Sequence, residues 1–228
     1  MLDRSSADPV ATCRGVGVVY RTGAGVAHAL SRVDATFPRG RLSVVAGPSG
    51  SGKSSLLRVL AGLHRPQTGT VEVGGAELTR LRTGSLRRLR RRAMGIVLQN
   101  PADNLLDYLS AVEQIELAAT LRGADPAGAP QLLTAVGLAD RGSDHPAELS
   151  GGEQQRVAFA AAAIGPPALL LADEPTAQLD ADAGVALIDA MRSLVDLGTS
   201  LVVTSHDPSV IAAADHVVML HDGEVVQS

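Results

Sequence analysis

Short apolar runs alternate with longer segments of helical spacing along this chain. The run Leu42-Ser43-Val44-Val45-Ala46 is typical of a buried strand. Comparable runs predict further strands at residues 70–73, 95–98, 168–172, 200–204, 216–220 and 224–226. Leucines at positions 56, 57, 60 and 63 predict a helix over residues 55–62, and a second helix is predicted over residues 181–197. Because strands and helices alternate, the predicted fold class is α/β with a mainly parallel core sheet.

Two parts of the chain depart from this alternation. Residues 11–46 carry short strand-like runs separated by turns at residues 23–25 and 38–40, which predicts strands packed beside the main sheet. Residues 100–165 are helical in pattern, with helices predicted over residues 105–121 and 130–136. We therefore predict one domain of 228 residues. Its core and β subdomain comprise residues 1–99 and 166–228, and residues 100–165 form an inserted helical subdomain.

Composition narrows the classes of function. A chain of 228 residues with 45% hydrophobic residues can bury a substantial core, and a net charge of −4 gives no general attraction to nucleic acid. The single cysteine, Cys13, excludes an internal disulfide and fits a reducing compartment. We expect no signal peptide, because residues 1–9 lack an apolar core. The longest apolar run, residues 157–172, is broken by Gly165-Pro166-Pro167, so any membrane part is expected to come from another subunit.

Residues 47–54 match the phosphate-binding loop pattern G-x-x-x-x-G-K-[ST] between a predicted strand and a predicted helix. Glycines allow consecutive N–H groups to converge on an anion, and the helix start adds the positive end of its dipole. Lys53 is the only lysine of the chain and would reach the β- and γ-phosphates, while the Ser54 hydroxyl would bind Mg²⁺. The alternative, a glycine-rich turn that happens to precede Lys-Ser, does not account for the flanking strand and helix.

Two further motifs carry candidate chemistry. The predicted strand over residues 168–172 delivers Asp173 and Glu174 at its carboxyl end, where open α/β sheets bind ligands. One carboxylate would hold Mg²⁺ through water, and the other would deprotonate an attacking water. Ser150 and Glu153 form a capping box at a predicted helix start. The two glycines between them weaken a helix start, and a second phosphate-binding helix end explains them better than capping alone.

Two features allow alternative interpretations. Tyr20 is a candidate for stacking on a nucleotide base, or it is an ordinary tyrosine at the end of a strand. An arginine-rich helix is predicted around residues 80–92, and such a helix can bind nucleic acid or a lipid surface. The interpretation favoured here is a solvated basic face with Leu81, Leu86 and Leu89 turned inward, because aromatic residues are not interleaved.

Taken in order, the motifs resemble those of the nucleotide-binding subunit of ATP-binding cassette (ABC) transporters, over roughly residues 10–226. The matching elements are Walker A at residues 47–54, the Q-loop at Gln99, the signature at residues 149–154, Walker B at residues 169–174, the D-loop at residues 177–180 and the switch histidine at His206. Two positions differ from the family pattern. Leu98 stands where an aromatic residue often precedes the Q-loop glutamine, and Gln178 stands where the D-loop usually has a small residue.

The resemblance implies a P-loop NTPase fold with a RecA-like core, an antiparallel β subdomain and an inserted helical subdomain. It also implies a head-to-tail dimer, in which each ATP lies between one chain's phosphate loop and the signature of the other chain. The implied catalytic residues are Glu174 as general base, His206 at the γ-phosphate, Gln99 and Lys53, and the implied Mg²⁺ ligands are Ser54, Gln99 and Asp173. The implied ATP-contacting residues are Tyr20, Gly47, Pro48, Ser49, Gly50, Ser51, Gly52, Lys53, Ser54, Ser55, Ser150, Gly151, Gly152, Glu153 and Asp180.

The function expected from this resemblance is ATP hydrolysis that powers a separate membrane permease, at the cytoplasmic face of the membrane. Residues 78–121 look most like the branch of lipoprotein-releasing, macrolide-exporting and cell-division cassettes, although Gln99-Asn100-Pro101 is also similar to vitamin and metal importers. Residues 100–108 are expected to face the permease. The alternative is a soluble ABC-type ATPase that acts as a switch on a non-transport membrane complex or a nucleic-acid complex. A P-loop kinase or GTPase leaves residues 149–156 unexplained.

Overall fold

The computed structural model describes residues 8–22 and 25–227. Residues 23 and 24 of the predicted turn lie outside the described residues. Residues 1–7, part of the N-terminal segment in which we expect no signal peptide, lie outside them as well. The strands are β1 (Ala11–Thr22), β2 (Gly25–Phe37), β3 (Leu42–Ala46), β4 (Thr68–Val73), β5 (Ala76–Glu77), β6 (Met94–Val97), β7 (Leu169–Asp173), β8 (Leu201–Ser205), β9 (His216–His221) and β10 (Glu224–Gln227). The helices are α1 (Lys53–Leu60), α2 (Thr83–Ala93), α3 (Ala111–Arg122), α4 (Ala129–Ala135), α5 (Gly151–Ala163), α6 (Ala181–Asp196) and α7 (Pro208–Ala212).

The strands form two sheets. The larger sheet has the order β10-β9-β3-β8-β7-β6, and its strand pairs are parallel except for β9 with β10. The smaller sheet has the order β2-β1-β4-β5 and is antiparallel throughout. All five residues of β3 are buried, which is typical of a central strand covered on both faces. The predicted α/β class, with a parallel core sheet and an antiparallel second sheet, is confirmed.

Two hydrophobic clusters cover the two faces of the larger sheet. Because successive strand side chains point to opposite faces, Val44 packs in one cluster and Val45 in the other. The first cluster contains side chains of α3 to α6, among them the fully buried Phe159. The second contains α1 and the smaller sheet, with Leu56 and Leu60 fully buried. Helix α1 is therefore fixed between the two sheets, directly after β3.

Helices α3, α4 and α5 follow β6 and precede β7 in the chain. Helix α5 also packs closely on the larger sheet, since a Cβ atom at Gly95 of β6 would lie 2.4 Å from the Ala162 carbonyl oxygen. The assignment of residues 100–165 to a separate helical subdomain stays a prediction.

The predicted helix over residues 105–121 is wrong at its start. Helix α3 begins at Ala111, because Ser110 and Glu113 form a capping box there. The Glu113 carboxylate accepts hydrogen bonds from the Ser110 backbone N–H and hydroxyl, and these bonds lower the pKa of Glu113. Residues 105–110 are instead a loop that leaves Leu106 and Tyr108 exposed.

The arginine-rich helix is also shorter than predicted. Helix α2 begins at Thr83, so Arg80 and Arg82 precede it. Leu81, Leu86 and Leu89 are partly buried against the second hydrophobic cluster, as the pattern predicted. The helix itself has no acidic residue.

Cys13 lies in β1 with its side chain in the second hydrophobic cluster, and only 1% of the residue is exposed. Burial, together with the nearby Asp34 carboxylate, raises the pKa of this thiol to about 12. Over residues 8–22 and 25–227, none of the helices is both long enough and apolar enough to cross a membrane.

Candidate functional site

The phosphate loop joins β3 to α1 with a backbone that requires glycine at two positions. Gly47 and Gly52 have φ angles of 150° and 102°. A Cβ atom would lie 2.1 Å from the Leu220 carbonyl oxygen at Gly47 and 2.4 Å from the Ala29 carbonyl oxygen at Gly52. Helix α1 starts without a side-chain cap and without an acidic residue in its first turn. Its first N–H groups therefore remain available to an external anion.

Lys53 is the first residue of α1, and only 7% of it is exposed. Its ammonium donates hydrogen bonds to the carbonyl oxygens of Gly47, at 2.9 Å, and Pro48, at 3.1 Å. The same nitrogen lies 3.3 Å from Oε1 of Glu174. The loop thus holds the lysine by its own backbone, and the remaining charge faces the end of β7.

Asp173 ends β7 and accepts two hydroxyl hydrogen bonds. Its Oδ1 lies 3.0 Å from Oγ of Ser54 and 2.6 Å from Oγ1 of Thr204. Ser54 belongs to α1, whereas Thr204 belongs to the neighbouring strand β8 and is paired in register with Asp173. The acidic side chain therefore connects the phosphate-loop helix to the sheet.

Glu174 follows in a left-handed backbone conformation, with φ of 45°. Its N–H donates to both the carbonyl oxygen and the hydroxyl oxygen of Thr204, at 3.1 and 2.9 Å. Its carboxylate lies between two basic groups, because Oε2 is 3.0 Å from Nδ1 of His206. A non-glycine residue at positive φ is strained, and such strain is concentrated at functional sites. The backbone turn aims the second carboxylate toward Lys53 and away from the sheet.

Thr204 is the residue that the sequence analysis missed. Its side chain is completely buried, and its hydroxyl group contacts both acidic residues. A polar residue at the end of an apolar strand, two positions before His206, was the available signal.

Most of the predicted site residues line one open cleft of about 570 Å³, here called the nucleotide cleft. Its lining residues are Tyr20, Ala29, Pro48, Ser49, Gly50, Gly52, Lys53, Ser54, Ser55, Gln99, Glu174 and His206. The Tyr20 hydroxyl lies 3.4 Å from Oγ of Ser55, and its ring contacts the His64 ring at 5.2 Å between centroids. A tyrosine, a glycine loop, a lysine and the Glu174 carboxylate thus meet in this cleft at the carboxyl end of the parallel strands, whereas Gly47, Ser51 and Asp173 do not line it.

The loop that follows Gln99 is held by amide side chains. Asn104 binds Leu98 like a strand partner, because its Oδ1 accepts from the Leu98 N–H at 2.7 Å and its Nδ2 donates to the Leu98 carbonyl at 3.0 Å. Gln114 does the same for Leu106, at 3.1 and 2.6 Å. The sequence analysis assigned no role to either amide residue. They fix the loop ends and leave Gln99 exposed at the edge of the nucleotide cleft.

The predicted signature residues lie elsewhere. Ser150 caps α5, and Glu153 completes the capping box and forms an ion pair with Arg141 at 3.4 Å. Within the described part of the chain, neither these residues nor Gly151, Gly152 and Asp180 line the nucleotide cleft. Asp180 caps α6 by accepting a hydrogen bond from the Ala183 N–H at 2.8 Å.

The two signature glycines have different surroundings. A Cβ atom at Gly152 would lie 2.7 Å from Cβ of Ala183, so packing of α5 on α6 is sufficient to require this glycine. A Cβ atom at Gly151 would have no neighbour within 4 Å, and this residue is exposed. Packing therefore explains Gly152 without an external phosphate, while the phosphate contact of Gly151 stays a prediction.

Comparison with known proteins identifies the family. The sequence model of a protein family described as "ABC transporter" matches residues 30–177, which is more than half of the chain. The chain belongs to the ABC transporter family. It is 39% identical over 222 residues to the macrolide export ATP-binding/permease protein MacB 1/2 of Paracoccus denitrificans, covering 96% of this chain and 33% of that protein. It is 38% identical over 221 residues to the lipoprotein-releasing system ATP-binding protein LolD of a Shewanella species, covering 95% of both chains.

A solved structure shows the same fold. It is the dimeric, post-hydrolysis state of the ATP-binding cassette MJ0796 bound to ADP and Pi. The two chains are 33% identical and align with a TM-score of 0.83, and the alignment covers 95% of this chain and 97% of that one. The predicted family and the predicted ABC cassette fold are confirmed. The chain spans about a third of the length of the MacB relatives, which carry their permease in the same protein.

Proposed function

We propose that this ABC cassette binds Mg²⁺-ATP in the nucleotide cleft and hydrolyses it to drive a separate membrane permease. The observation that carries the proposal is the Glu174 carboxylate, which lies between the Lys53 ammonium and the His206 ring at the mouth of a glycine-rich phosphate loop. Phosphoryl transfer needs positioning and charge neutralisation around the transferred group more than covalent chemistry. The cleft supplies donors and one base for that purpose.

In the proposed reaction, a water oxygen attacks the γ-phosphorus and the bond to the bridging oxygen of the β-phosphate breaks. Glu174 accepts the proton of the attacking water, and ADP leaves with the bridging oxygen. Lys53 and the N–H groups at the start of α1 bind the β- and γ-phosphates, and His206 contacts the γ-phosphate. Tyr20 offers its ring to the adenine, which corresponds to the stacking interpretation of this residue.

The side chains at the end of β7 fit a magnesium ion. Mg²⁺ takes oxygen ligands in an octahedron at about 2.1 Å, so that neighbouring ligands lie about 3.0 Å apart. Oγ of Ser54 and Oδ1 of Asp173 are 3.0 Å apart, and both are oxygen donors. We assign them to Mg²⁺ together with Gln99, which lines the same cleft. The metal would neutralise charge on the phosphates, while the protein side chains hold the nucleotide in place.

We propose that the ATP site is completed by a second copy of the chain in a head-to-tail dimer. The α5 end carries Ser150 and Gly151 outside the nucleotide cleft, and Gly151 is exposed with free space around it. A phosphate of the ATP held by one copy can contact this helix end of the other, with Glu153 and Asp180 close to the contact. The related cassette MJ0796 was solved as a dimer, which supports the arrangement.

The permease is proposed to contact the loop after Gln99. Leu98, Leu106 and Tyr108 are exposed by 47%, 40% and 73% in this region, so the loop offers apolar surface to a partner. We therefore propose that the chain lies at the cytoplasmic face of the membrane, where such a contact can form. The MacB and LolD relatives support the predicted macrolide-export and lipoprotein-release branch. The comparisons do not favour the alternative of a switch on a non-transport complex.

The test uses Glu174→Gln, which keeps the size of the side chain and removes the base. Turnover of Mg²⁺-ATP should fall by about 100- to 10,000-fold, while binding of a fluorescent ATP analogue should persist. Glu116→Gln on the exposed face of α3 is the matched control and should leave both unchanged. Full turnover in the Glu174 variant would refute the mechanism.

A further inference from the structure

A second cavity, of about 330 Å³, lies between the end of α1, strand β4 and helix α2. We call it the arginine cavity. Its apolar wall includes Val59, Val71 and Leu78, which are nearly fully buried. Three arginines, Arg65, Arg87 and Arg90, line it as well. It thus combines an apolar surface with concentrated positive charge, outside the nucleotide cleft.

The positive charge in the arginine cavity is not neutralised by the protein. Among the residues that the structure describes, no acidic side chain lines the cavity and no ion pair involves Arg65, Arg87 or Arg90. Glu77, which neighbours the lining residues Leu78 and Thr79, is occupied by Arg80 at 3.2 Å and by the Thr79 hydroxyl at 2.9 Å.

Two of the guanidinium groups are already oriented by the backbone. Arg90 donates to the Gly62 carbonyl at 2.7 Å, and Arg65 donates to the Leu81 carbonyl. Each guanidinium has five N–H donors, so both keep several for a ligand. A binding group that is held before the ligand arrives loses less conformational entropy on binding.

The arginine cavity is connected to the nucleotide cleft through one pair of rings. His64 lines the arginine cavity, and its ring contacts that of Tyr20, which lines the nucleotide cleft. Nε2 of His64 is buried and has no hydrogen-bond partner among residues 8–22 and 25–227, so no polar group of this part of the chain fixes that edge of the ring. A ligand that packs against His64 would restrict both rings.

We propose that the arginine cavity binds an amphiphilic phosphomonoester, with the phosphate on the three arginines and the apolar part against Val59, Val71 and Leu78. A carboxylate has two acceptor oxygens and one charge, whereas a phosphomonoester has three terminal oxygens and close to two charges, which suits three guanidinium forks better. The ligand can be a membrane lipid or a soluble organic phosphate. Arg88, Arg91 and Arg92 of the same helix do not line the cavity and keep the role of a solvated face.

Dihexanoyl phosphatidic acid, which is soluble, is the direct probe, and its binding is measured by calorimetry without nucleotide. It should bind at least about tenfold more tightly than inorganic phosphate, which lacks the apolar part, and than dihexanoyl phosphatidylcholine, which lacks the free phosphomonoester. Equal affinity for the probe and for inorganic phosphate would overturn the proposal. Because ATP is absent, this result does not depend on the proposed ATPase function.

Two neighbouring arginines of α2 provide a matched pair of variants. Arg87 and Arg88 are both exposed and without a described ion pair, but only Arg87 lines the arginine cavity. Arg87→Gln should weaken probe binding by about tenfold and Arg88→Gln by less than about twofold. Equal losses would show attraction to a basic helix rather than a site, and would refute the proposal.

Vesicles distinguish the source of the ligand. Sedimentation with phosphatidylcholine vesicles that contain one-fifth phosphatidic acid, but not with pure phosphatidylcholine, supports a lipid. Binding of the soluble probe without vesicle binding supports a soluble phosphate.

The connection to the nucleotide cleft is tested separately, and this part rests on the proposed function. Saturating probe should tighten binding of the fluorescent ATP analogue by about two- to fivefold, and nucleotide should tighten probe binding by the same factor. His64→Ala should weaken probe binding by less than Arg87→Gln does, because the arginines remain, and should lose this coupling. Unchanged nucleotide affinity in the unmodified protein would refute the coupling.

Discussion

The N-terminal ends of helices α1 and α5 are both rich in glycine, but their free backbone N–H groups have different surroundings. Helix α1 has Gly52 at its cap position, no side-chain cap and a buried lysine as its first residue. Helix α5 is capped by Ser150, and the carboxylate of Glu153 accepts from the Ser150 N–H at 2.8 Å. The positive end of the α1 dipole is therefore available to an external anion. The positive end of the α5 dipole already has the Glu153 carboxylate beside it.

This difference shows which part of the proposed ATP site a single chain can form by itself. The α1 end meets Asp173 and Glu174 at the nucleotide cleft, so most of the phosphate chemistry is assembled within one copy. The α5 end is stable by itself and exposes Gly151. It can therefore fold without a phosphate and still accept one from another copy. The four predictions below test whether the two ends differ in this way, from the largest expected effect to the smallest.

The α1 end should depend on Lys53 for ligand binding and not for folding. Lys53→Met keeps an unbranched side chain of similar length and should weaken ATP binding by at least about 100-fold, because a buried charge partner is lost. Lys53→Arg should fail as well, since the ammonium donates to two loop carbonyls in a space with 7% exposure. Equilibrium binding of a fluorescent ATP analogue measures the effect, and thermal unfolding confirms that the variants are folded. Retention of binding within tenfold in the Met variant would contradict the prediction.

Thr204 should position the two acids opposite the α1 end. Thr204→Val keeps the shape, removes the hydroxyl and should cost about 1–3 kcal/mol in the free energy of unfolding. The maximal ATPase rate should fall about tenfold or more, with little change in the Michaelis constant, because Glu174 loses its alignment. Thr204→Ser should restore most of the rate. A purely structural role would leave the rate of the folded Val variant unchanged.

The two signature glycines should respond differently to alanine. Gly152→Ala gains about 1 kcal/mol in helix propensity but forces a contact with Ala183 that costs about 1–3 kcal/mol, so the protein should be destabilised. Gly151→Ala should leave stability equal or slightly higher and should reduce ATP turnover about tenfold, through the proposed contact with a phosphate of the other copy. Urea unfolding and steady-state turnover distinguish the two.

Gly184 of α6 is the control for this pair, because a Cβ atom there also has no neighbour within 4 Å. Gly184→Ala should leave ATP turnover unchanged, and it should change the free energy of unfolding by no more than about 1 kcal/mol. If Gly151→Ala leaves turnover intact, the α5 end takes no part in the reaction.

The smallest effect concerns pH and the α5 cap. Hydrogen bonds from Ser150 lower the pKa of Glu153 below its ordinary value of 4.5 in the folded protein. The carboxylate therefore stabilises the fold at and above that value, and the contribution is lost as the pH falls through the lowered pKa. We expect a loss below about 1 kcal/mol as the pH falls below about 4.5, because solvent screens this partly exposed carboxylate. Glu153→Gln keeps a capping side chain and should have a flatter pH dependence; an unchanged slope in urea unfolding would contradict this.

Local pattern was sufficient to predict the fold class and most of the elements. The strand β3 and the helix α1 were predicted within two residues, because a fully apolar run and leucines at helical spacing are strong signals. The start of α3 was wrong because apolar residues of the preceding loop, such as Leu106 and Tyr108, continue the helical pattern while remaining exposed. Periodicity alone does not distinguish exposed apolar residues from buried ones.

The candidate site was predictable where the local backbone conformation requires particular residues, as the phosphate loop of residues 47–54 requires glycine. The roles of Thr204, Asn104 and Gln114 were not predicted. The role of Thr204 depends on pairing between distant strands. The amide side chains of Asn104 and Gln114 bind backbone groups only six and eight residues away, but in a loop whose course the pattern does not show. Thr204 contacts Asp173 only because β7 and β8 are neighbours in register. The explanation of Gly152 likewise required the position of Ala183 on another helix.

The burial of Cys13 has a practical consequence for observing the two helix ends at work. With a pKa of about 12, this thiol is protonated at neutral pH and hardly reacts with maleimides, because the thiolate is the nucleophile. It is also the only cysteine of the chain. A cysteine introduced at the exposed Ala147, which lies just before the α5 end and outside the proposed phosphate contact, would therefore be the single labelling site of the native protein, with no need to remove the natural one. A fluorophore attached there would report directly when nucleotide causes the α5 end to be covered.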